Sequence, residues 1–245
     1  VSAMAFYSDI SSYYDKIFPI SEVTVDFLRE SIGRPPKKVL DVACGTGGYT
    51  LELDKLGYKI KGIDLDKKMI EKLSEKVNNE GCKVRFSQGN MLTLSKEVNG
   101  EKFDAIYSIG NSLVHLNNYH EIQSFFTDVK KLLNRSGVFI FQIINYDRIL
   151  SKALKSLPTI VNKEVPLKFE RFYDLDESTQ KIIFKTILHV ENKKIENQVF
   201  LTPLKHDDGL SMLKNAGFSD IKVYGDFKRS SFDKDNSYGF IVEAR

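Results

Sequence analysis

Asp41, Asp64 and the glycine run between them are the residues of this chain best placed to do chemistry. Residues 39–50 read VLDVACGTGGYT, so a short apolar run passes through Asp41 into Gly45-Thr46-Gly47-Gly48. Tyr49, Leu51, Leu53 and Leu56 follow at helical spacing. The pattern is a buried strand, a tight turn and a helix whose free N–H groups face the turn. Glycine there lets a ligand lie against bare backbone. Such a turn serves a dinucleotide or S-adenosylmethionine, and three details separate them. The dinucleotide pattern G-x-G-x-x-G needs a sixth-position glycine, where this chain has Thr50. Asp41, at the mouth of the turn, suits a ligand with an ammonium and a sulfonium better than a diphosphate. Asp64 ends the next strand, GIDLD at 62–66, 19 residues beyond Gly45, and can accept both ribose hydroxyls of either ligand. An NAD-dependent oxidoreductase is therefore disfavoured.

Two further polar clusters lie at strand ends. Asn90, in QGNML at 88–92, can accept from an adenine amino group and donate to a ring nitrogen, with Met91 against the ring. Strand residues 103–108 run into IGNSLVHL at 109–116, where Gly110 permits close approach and Asn111 and His115 put polar groups at the crevice.

These residues need a frame, and the rest of the chain supplies one. Strands are expected at 38–43, 59–64, 83–88, 103–108 and 137–144, with helices at 47–57, 67–79 and 119–134. The alternation with short links predicts a parallel sheet covered on both faces. Residues 164–175, 181–191 and 195–204 alternate apolar and polar in the manner of antiparallel strands, with a hairpin turn at Glu191 to Lys194. A last helix at 207–216 and strands at 219–226 and 237–244 complete the sheet. The fold class is α/β: a Rossmann-like, mostly parallel seven-stranded sheet with helices on both faces, plus an inserted antiparallel β cap. The expected domains are an N-terminal helical lid at 1–36, a core at 37–145 and 206–245, and an inserted substrate cap at 146–205. Phe6, Tyr7, Ile10, Tyr13, Tyr14 and Ile17 make an aromatic stripe in the lid. The pattern gives that stripe no partner of its own, so it is expected to be ordered by ligand.

Composition narrows the function. The chain has 245 residues, 42% apolar and 28% charged, with a net charge of +3. That is one domain, or one domain with an insertion. Lysines are dispersed, with no basic block that would track phosphates, so nucleic acid is not called for. Cys44 and Cys82 are read as reduced thiols, the four histidines form no metal-ligand spacing, and a cytoplasmic compartment is expected. No apolar run is long enough to span a membrane.

With these motifs in register, VLDVACGTG, Asp64, NMLTL (90–94) and GNSLVHL (110–116), the chain resembles a class I S-adenosylmethionine-dependent methyltransferase. More narrowly it resembles the glycine N-methyltransferase group, through NYDRIL (145–150) and YGDFK (224–228). The resemblance implies S-adenosyl-L-methionine as cofactor and S-adenosyl-L-homocysteine as product. It implies that Gly45, with Ala43, Thr46 and Gly47, holds the methionine portion, alongside Asp41. Asp64, with Leu65, binds ribose, Met69 closes over the nucleoside, and Asn90 and Met91 frame adenine. Ile109 and His115 flank the cofactor. An N-terminal tyrosine reaches the methyl region, with Tyr7, Tyr13 and Tyr14 competing for the role. Asn111, His115 and Tyr14 are the catalytic candidates. One departure concerns substrate. The glycine enzymes carry an arginine just before Asn-Tyr-Asp to grip the carboxylate, and this chain has Ile144. Arg148 lies four residues on as a possible substitute. The expected reaction is methyl transfer to a small-molecule acceptor, at an amine nitrogen. The alternatives are an RNA or protein methyltransferase on the same core, or a non-catalytic cofactor-binding regulator.

Overall fold

The computed structural model of the chain describes residues 3–245, so the first two residues of the expected lid lie outside it. The chain begins with α1 (Ala3–Ile10), a 3-10 turn and α2 (Tyr14–Ile17), then α3 (Glu22–Ile32). β1 (Lys38–Val42), α4 (Gly48–Lys55), β2 (Lys59–Asp64), α5 (Lys67–Glu80) and β3 (Arg85–Gln88) form the first half of an α/β sheet. α6 (Leu94–Glu97), β4 (Phe103–Ser108), α7 (Tyr119–Leu132) and β5 (Leu133–Ile144) follow. Then come α8 (Tyr146–Ser151), β6 (Ser156–Asn162), β7 (Leu167–Asp176), β8 (Lys181–Val190) and β9 (Lys193–Leu201). α9 (His206–Ala216), β10 (Ile221–Tyr224) and β11 (Gly239–Ala244) close the chain.

Two sheets result. The seven-stranded sheet has the order β10-β11-β5-β4-β1-β2-β3, and β6 to β9 form a separate antiparallel sheet. In the large sheet β1, β2, β3, β4 and β5 run parallel, and only β11 breaks the direction, antiparallel to both β5 and β10. The order reverses between β1 and β4. That switch point opens a crevice at the strands' carboxyl ends, where α/β folds take their ligands. No helix among the described residues is long and apolar enough to cross a membrane.

Several boundaries differ from expectation. β5 starts at Leu133 directly after α7, because residues expected to turn pair with β4 across an irregular register between Phe103 and Ala105. β6 was not expected. Its residues, SLPTIVN, contain Pro158 and do not alternate cleanly, and its pairing slips between Leu157 and Ile160. An edge strand tolerates proline because one N–H row needs no partner. α8 was not expected as a helix. Its Asn145 cap accepts from the Arg148 N–H while its own amide donates to the carbonyls of Lys234 and Ser237.

The N-terminal aromatic stripe has protein partners after all. Phe6, Ile10 and Ile17 are fully buried, and the Phe6 ring sits 5.8 Å from that of Phe184 on β8. These side chains enter the space between the carboxyl ends of the large sheet and the inner face of the small one. Polar ties hold both flanks. Ser8 donates to Asp66 at 2.7 Å, Asp15 pairs with Lys76 at 2.6 Å, and Tyr13 donates to Glu191 at 3.1 Å.

Candidate active site

The glycine turn begins where β1 ends. Cys44 N–H donates to the Ile63 carbonyl, so the turn is fastened to β2. Gly45 has φ +58°, and its N–H donates to Asp64 Oδ2 at 2.8 Å. Asp64 Oδ1 accepts from the Asp66 N–H at 2.8 Å. Each carboxylate oxygen thus keeps capacity for another donor, and vicinal hydroxyls would fill it. Burial pushes the Asp64 carboxyl up to about 6, against the pull of these N–H groups.

A cavity of about 130 Å³ opens beside this carboxylate. Gly45 and Ala43 form its floor, while Leu65, Met69, Met91 and Leu116 give it apolar walls. Asn90 lines it too. One lone pair of Asn90 Oδ1 is committed to the Leu92 N–H at 2.9 Å, which leaves the amide N–H₂ as the freer end of that side chain. Tyr7, Tyr14 and His115 complete the wall. The Tyr14 ring covers Gly45, where an added Cβ would meet it at 3.4 Å. The Tyr7 hydroxyl lies 2.8 Å from His115 Nε2, and burial pushes His115 down to about 4. His115 Nδ1 has no protein partner. Among the described residues this cavity carries Asp64 and Asp66 but no lysine or arginine. Its charge therefore fits a cationic sulfonium with a ribose and a flat base, and opposes a diphosphate.

A second cavity of about 420 Å³ lies on the other side of the two tyrosines and shares Tyr7, Tyr14 and Ala43 with the first. Its floor holds Ile109, Gly110 and Asn111, and Ile144 forms part of its wall. Asn111 sits at φ +66°. Its Oδ1 accepts from the Ile144 N–H at 3.0 Å, and its amide lies 3.0 Å from the Tyr146 hydroxyl. Tyr173 and Phe184 close the cavity from the small sheet. Sequence reasoning missed Tyr173 and Arg171 here, and Tyr146 behind Asn111. The available signal was the alternation of β7, which puts Arg171 on the same face as Leu167, Phe169 and Tyr173.

Five placements differ from the sequence reading. Asp41 is not at the mouth of the turn but beneath it, buried, and it touches only the larger cavity. Its Oδ2 accepts from Thr50 and Tyr107, each at 2.7 Å, because β1 and β4 pair Asp41 directly opposite Tyr107. Burial pushes this carboxyl up to about 7 despite both donors. Thr50, where a dinucleotide site has glycine, thus braces the turn. Thr46 donates to Asp15 and accepts from Lys76, so its hydroxyl ties down the N-terminal segment. Gly47 faces α5, where a Cβ would come within 2.2 Å of Leu73. Tyr13 points outward to Glu191, which leaves Tyr7 and Tyr14 in the cavities. Arg148 does not line the larger cavity; its guanidinium lies over the Tyr238 ring at 5.7 Å. No cluster of three His, Cys, Asp or Glu side chains able to hold a metal forms among the described residues.

Comparison with known proteins agrees with this geometry. Residues 39–137 match the family described as methyltransferase domain. Over 206 residues the chain is 26% identical to glycine/sarcosine N-methyltransferase of Aphanothece halophytica, covering 82% of this chain and 74% of that protein. The CcbJ methyltransferase of Streptomyces caelestis superposes with a TM-score of 0.82 at 22% identity, over 98% of this chain and 97% of that one. A S-adenosylmethionine-dependent methyltransferase from Clostridium acetobutylicum gives a TM-score of 0.80 at 21% identity, over 98% of each chain. The fold, the glycine turn over Asp64 and the matched domain make this chain a class I S-adenosylmethionine-dependent methyltransferase. Within that class it resembles the glycine N-methyltransferase group.

Proposed function

We propose that the enzyme methylates a nitrogen of a small-molecule amine held in the larger cavity. The observation that carries this reading is the junction of the two cavities at Tyr7, Tyr14 and Ala43. A donor on one side of that junction and an acceptor on the other would meet there, and methyl transfer needs the reacting atoms about 3–3.5 Å apart and in line. The cofactor, when bound, supplies a methyl group already activated on sulfur.

The chain's own residues then bind, orient and exclude water. Asp64 accepts from the ribose hydroxyls, Asn90 and Met91 meet the base, and Gly45 offers bare backbone to the methionine end. Tyr7 and Tyr14 close over the junction, held in place by His115 and by the packing of α1. Asn111, braced from behind by Tyr146, is the polar group of the floor against which the amine is set. Neither His115 nor the two tyrosines at the junction is matched to strip a proton from an ammonium. His115 is too weakly basic, and burial holds Tyr7 and Tyr14 protonated. Leaving water itself favours the neutral amine, because desolvation disfavours the charged form. In this reading residues 3–36 act as the lid and the sheet of β6 to β9 as the substrate cap.

The similar glycine/sarcosine N-methyltransferase supports an amine acceptor. The polar groups on the floor of an open cavity favour an enzyme over a binding-only regulator. The test is incubation of the purified protein with methyl-labelled donor and a panel of amines, with mass spectrometry of the products. N-methylated small molecules are expected. Label found only on oxygen, carbon, RNA or protein would overturn the reading.

A further inference from the structure

The inner face of the small sheet carries a polar row that the reading above leaves unused. β7 turns Leu167, Phe169, Arg171 and Tyr173 to one face, and Arg171 is the charged member of that set. It reaches the larger cavity and is the sole lysine or arginine among the described residues that line it. Its Nη2 donates to the Pro158 carbonyl at 2.7 Å, while its Nε is buried without a partner. Arg171 pairs across the strands with Thr186 on β8, and Thr186 with Asn197 on β9. Thr186 Oγ1 and Asn197 Nδ2 are likewise buried and unpartnered. Three neighbouring side chains on one row thus each leave a polar atom unmatched inside an otherwise apolar face.

Such a row is costly unless something completes it, since each buried unsatisfied group forfeits its hydration. A guanidinium calls for a planar oxyanion, which it grips through parallel N–H bonds. Asp15 and Asp41 also touch this cavity, but Lys76 pairs with one, and Thr50 and Tyr107 bond the other. With one cation and no lysine, the wall matches a single negative charge, hence a carboxylate rather than a phosphate. The position also sets a length. Tyr173 touches Tyr146, with ring centroids 6.5 Å apart, and Tyr146 bonds Asn111. Arg171 stands one inward-facing residue further along the strand than Tyr173.

We propose that Arg171 is the specificity-determining residue of the acceptor cavity, binding a carboxylate several bonds from the nitrogen that sits at Asn111. The acceptor class is then an amine with a remote carboxylate, not an α-amino acid. The proposal rests on the amine reading above for the identity of the other end, and its test is a binding measurement that needs no turnover.

The protein, saturated with S-adenosylhomocysteine, is titrated with 4-aminobutyrate and 6-aminohexanoate and with their uncharged amides. Wild type should bind the better carboxylate about tenfold or more tightly than its amide, the scale of a charge-assisted bond. Arg171→Met should erase that preference and leave amide and S-adenosylhomocysteine binding unchanged, and Arg171→Lys should keep part of it. No preference in wild type, or equal loss for carboxylate and amide in Arg171→Met, overturns the proposal. A preference that disappears in Arg171→Met sustains it even if labelled donor yields no N-methyl product, an outcome that removes the amine reading alone.

Discussion

The Tyr7 hydroxyl lies 2.8 Å from His115 Nε2, and this contact joins the first helix to the loop after β4. Both side chains face the smaller cavity, beside the junction with the acceptor side. Tyr7→Phe keeps the ring and removes the bond. A net hydrogen bond is worth about 0.5–1.5 kcal/mol, so S-adenosylhomocysteine binding should weaken by up to about tenfold. Calorimetry measures it, with a melting curve to show that the fold survives. An unchanged dissociation constant would separate the contact from ligand binding.

His115 also gives a pH dependence of known sign. Burial holds it at about 4 in the folded chain, against an ordinary value of 6.5. Between those values the unfolded chain takes a proton that the folded chain refuses. The contribution of His115 is fully present above about pH 6.5 and is lost as pH falls through about 4. The loss by pH 4 is on the order of 3 kcal/mol. Urea melts at pH 7 and pH 4 should show wild type losing that much more stability than His115→Asn. Equal losses would mean that the ring is not held neutral.

Asp64 should govern cofactor affinity through its charge. Asp64→Ala is expected to weaken S-adenosylhomocysteine binding by about 1.5–3 kcal/mol, the worth of bonds to a charged group. Burial raises this carboxyl to about 6, so it gains a proton as pH falls through that value and becomes a poorer acceptor. Affinity should be flat above about pH 7 and decline below about 6, and Asp64→Asn should lack the decline. A wild-type profile that is flat from pH 5 to 8 would count against a carboxylate on the ribose.

Two glycines with left-handed backbones should respond differently to alanine. At Gly47 (φ +77°) a Cβ would fall 2.2 Å from Leu73, whereas at Gly81 (φ +65°) nothing lies within 4 Å. Gly81→Ala should cost about 1 kcal/mol, the backbone strain alone. Gly47→Ala should cost more, because it adds an overpacking penalty of about 1–3 kcal/mol. Denaturant melts of both variants compare them directly. Equal costs would show that Leu73 yields freely.

Glycine is expected to be a poor acceptor because of Ile144. It lines the larger cavity where Asn111 bonds its backbone, and it offers a carboxylate no partner. Burying an unpaired carboxylate costs several kcal/mol, and ~4 kcal/mol is about a thousandfold in binding. Steady-state assays with glycine, sarcosine and uncharged amines should rank glycine last, and Ile144→Arg should raise its turnover. A micromolar Michaelis constant for glycine in wild type would refute this.

Much of the fold was legible because it is written in short-range pattern. The passage from VLDVA into the glycine turn and α4, the parallel strands and the alternating β7 and β8 each follow from hydrophobic period and turn residues a few positions apart. Asp64 was legible for the same reason, since a residue ending a strand beside such a turn lies at the crevice whatever surrounds it. What each side chain touches was decided elsewhere. Tyr107 stands opposite Asp41 only through the pairing of β1 with β4, and that pairing turned a presumed ligand group into a buried brace. Leu73 took the face of Gly47, and Glu191 drew Tyr13 away from the cavity that Tyr7 and Tyr14 share. Arg171 acquired its place beside Thr186 and the cavity when strands far apart in sequence came into register. Local sequence sets the backbone path, because turns and periodicity act over a few residues. The partner of a side chain depends on which distant segment packs against it, so tertiary structure alone could assign it.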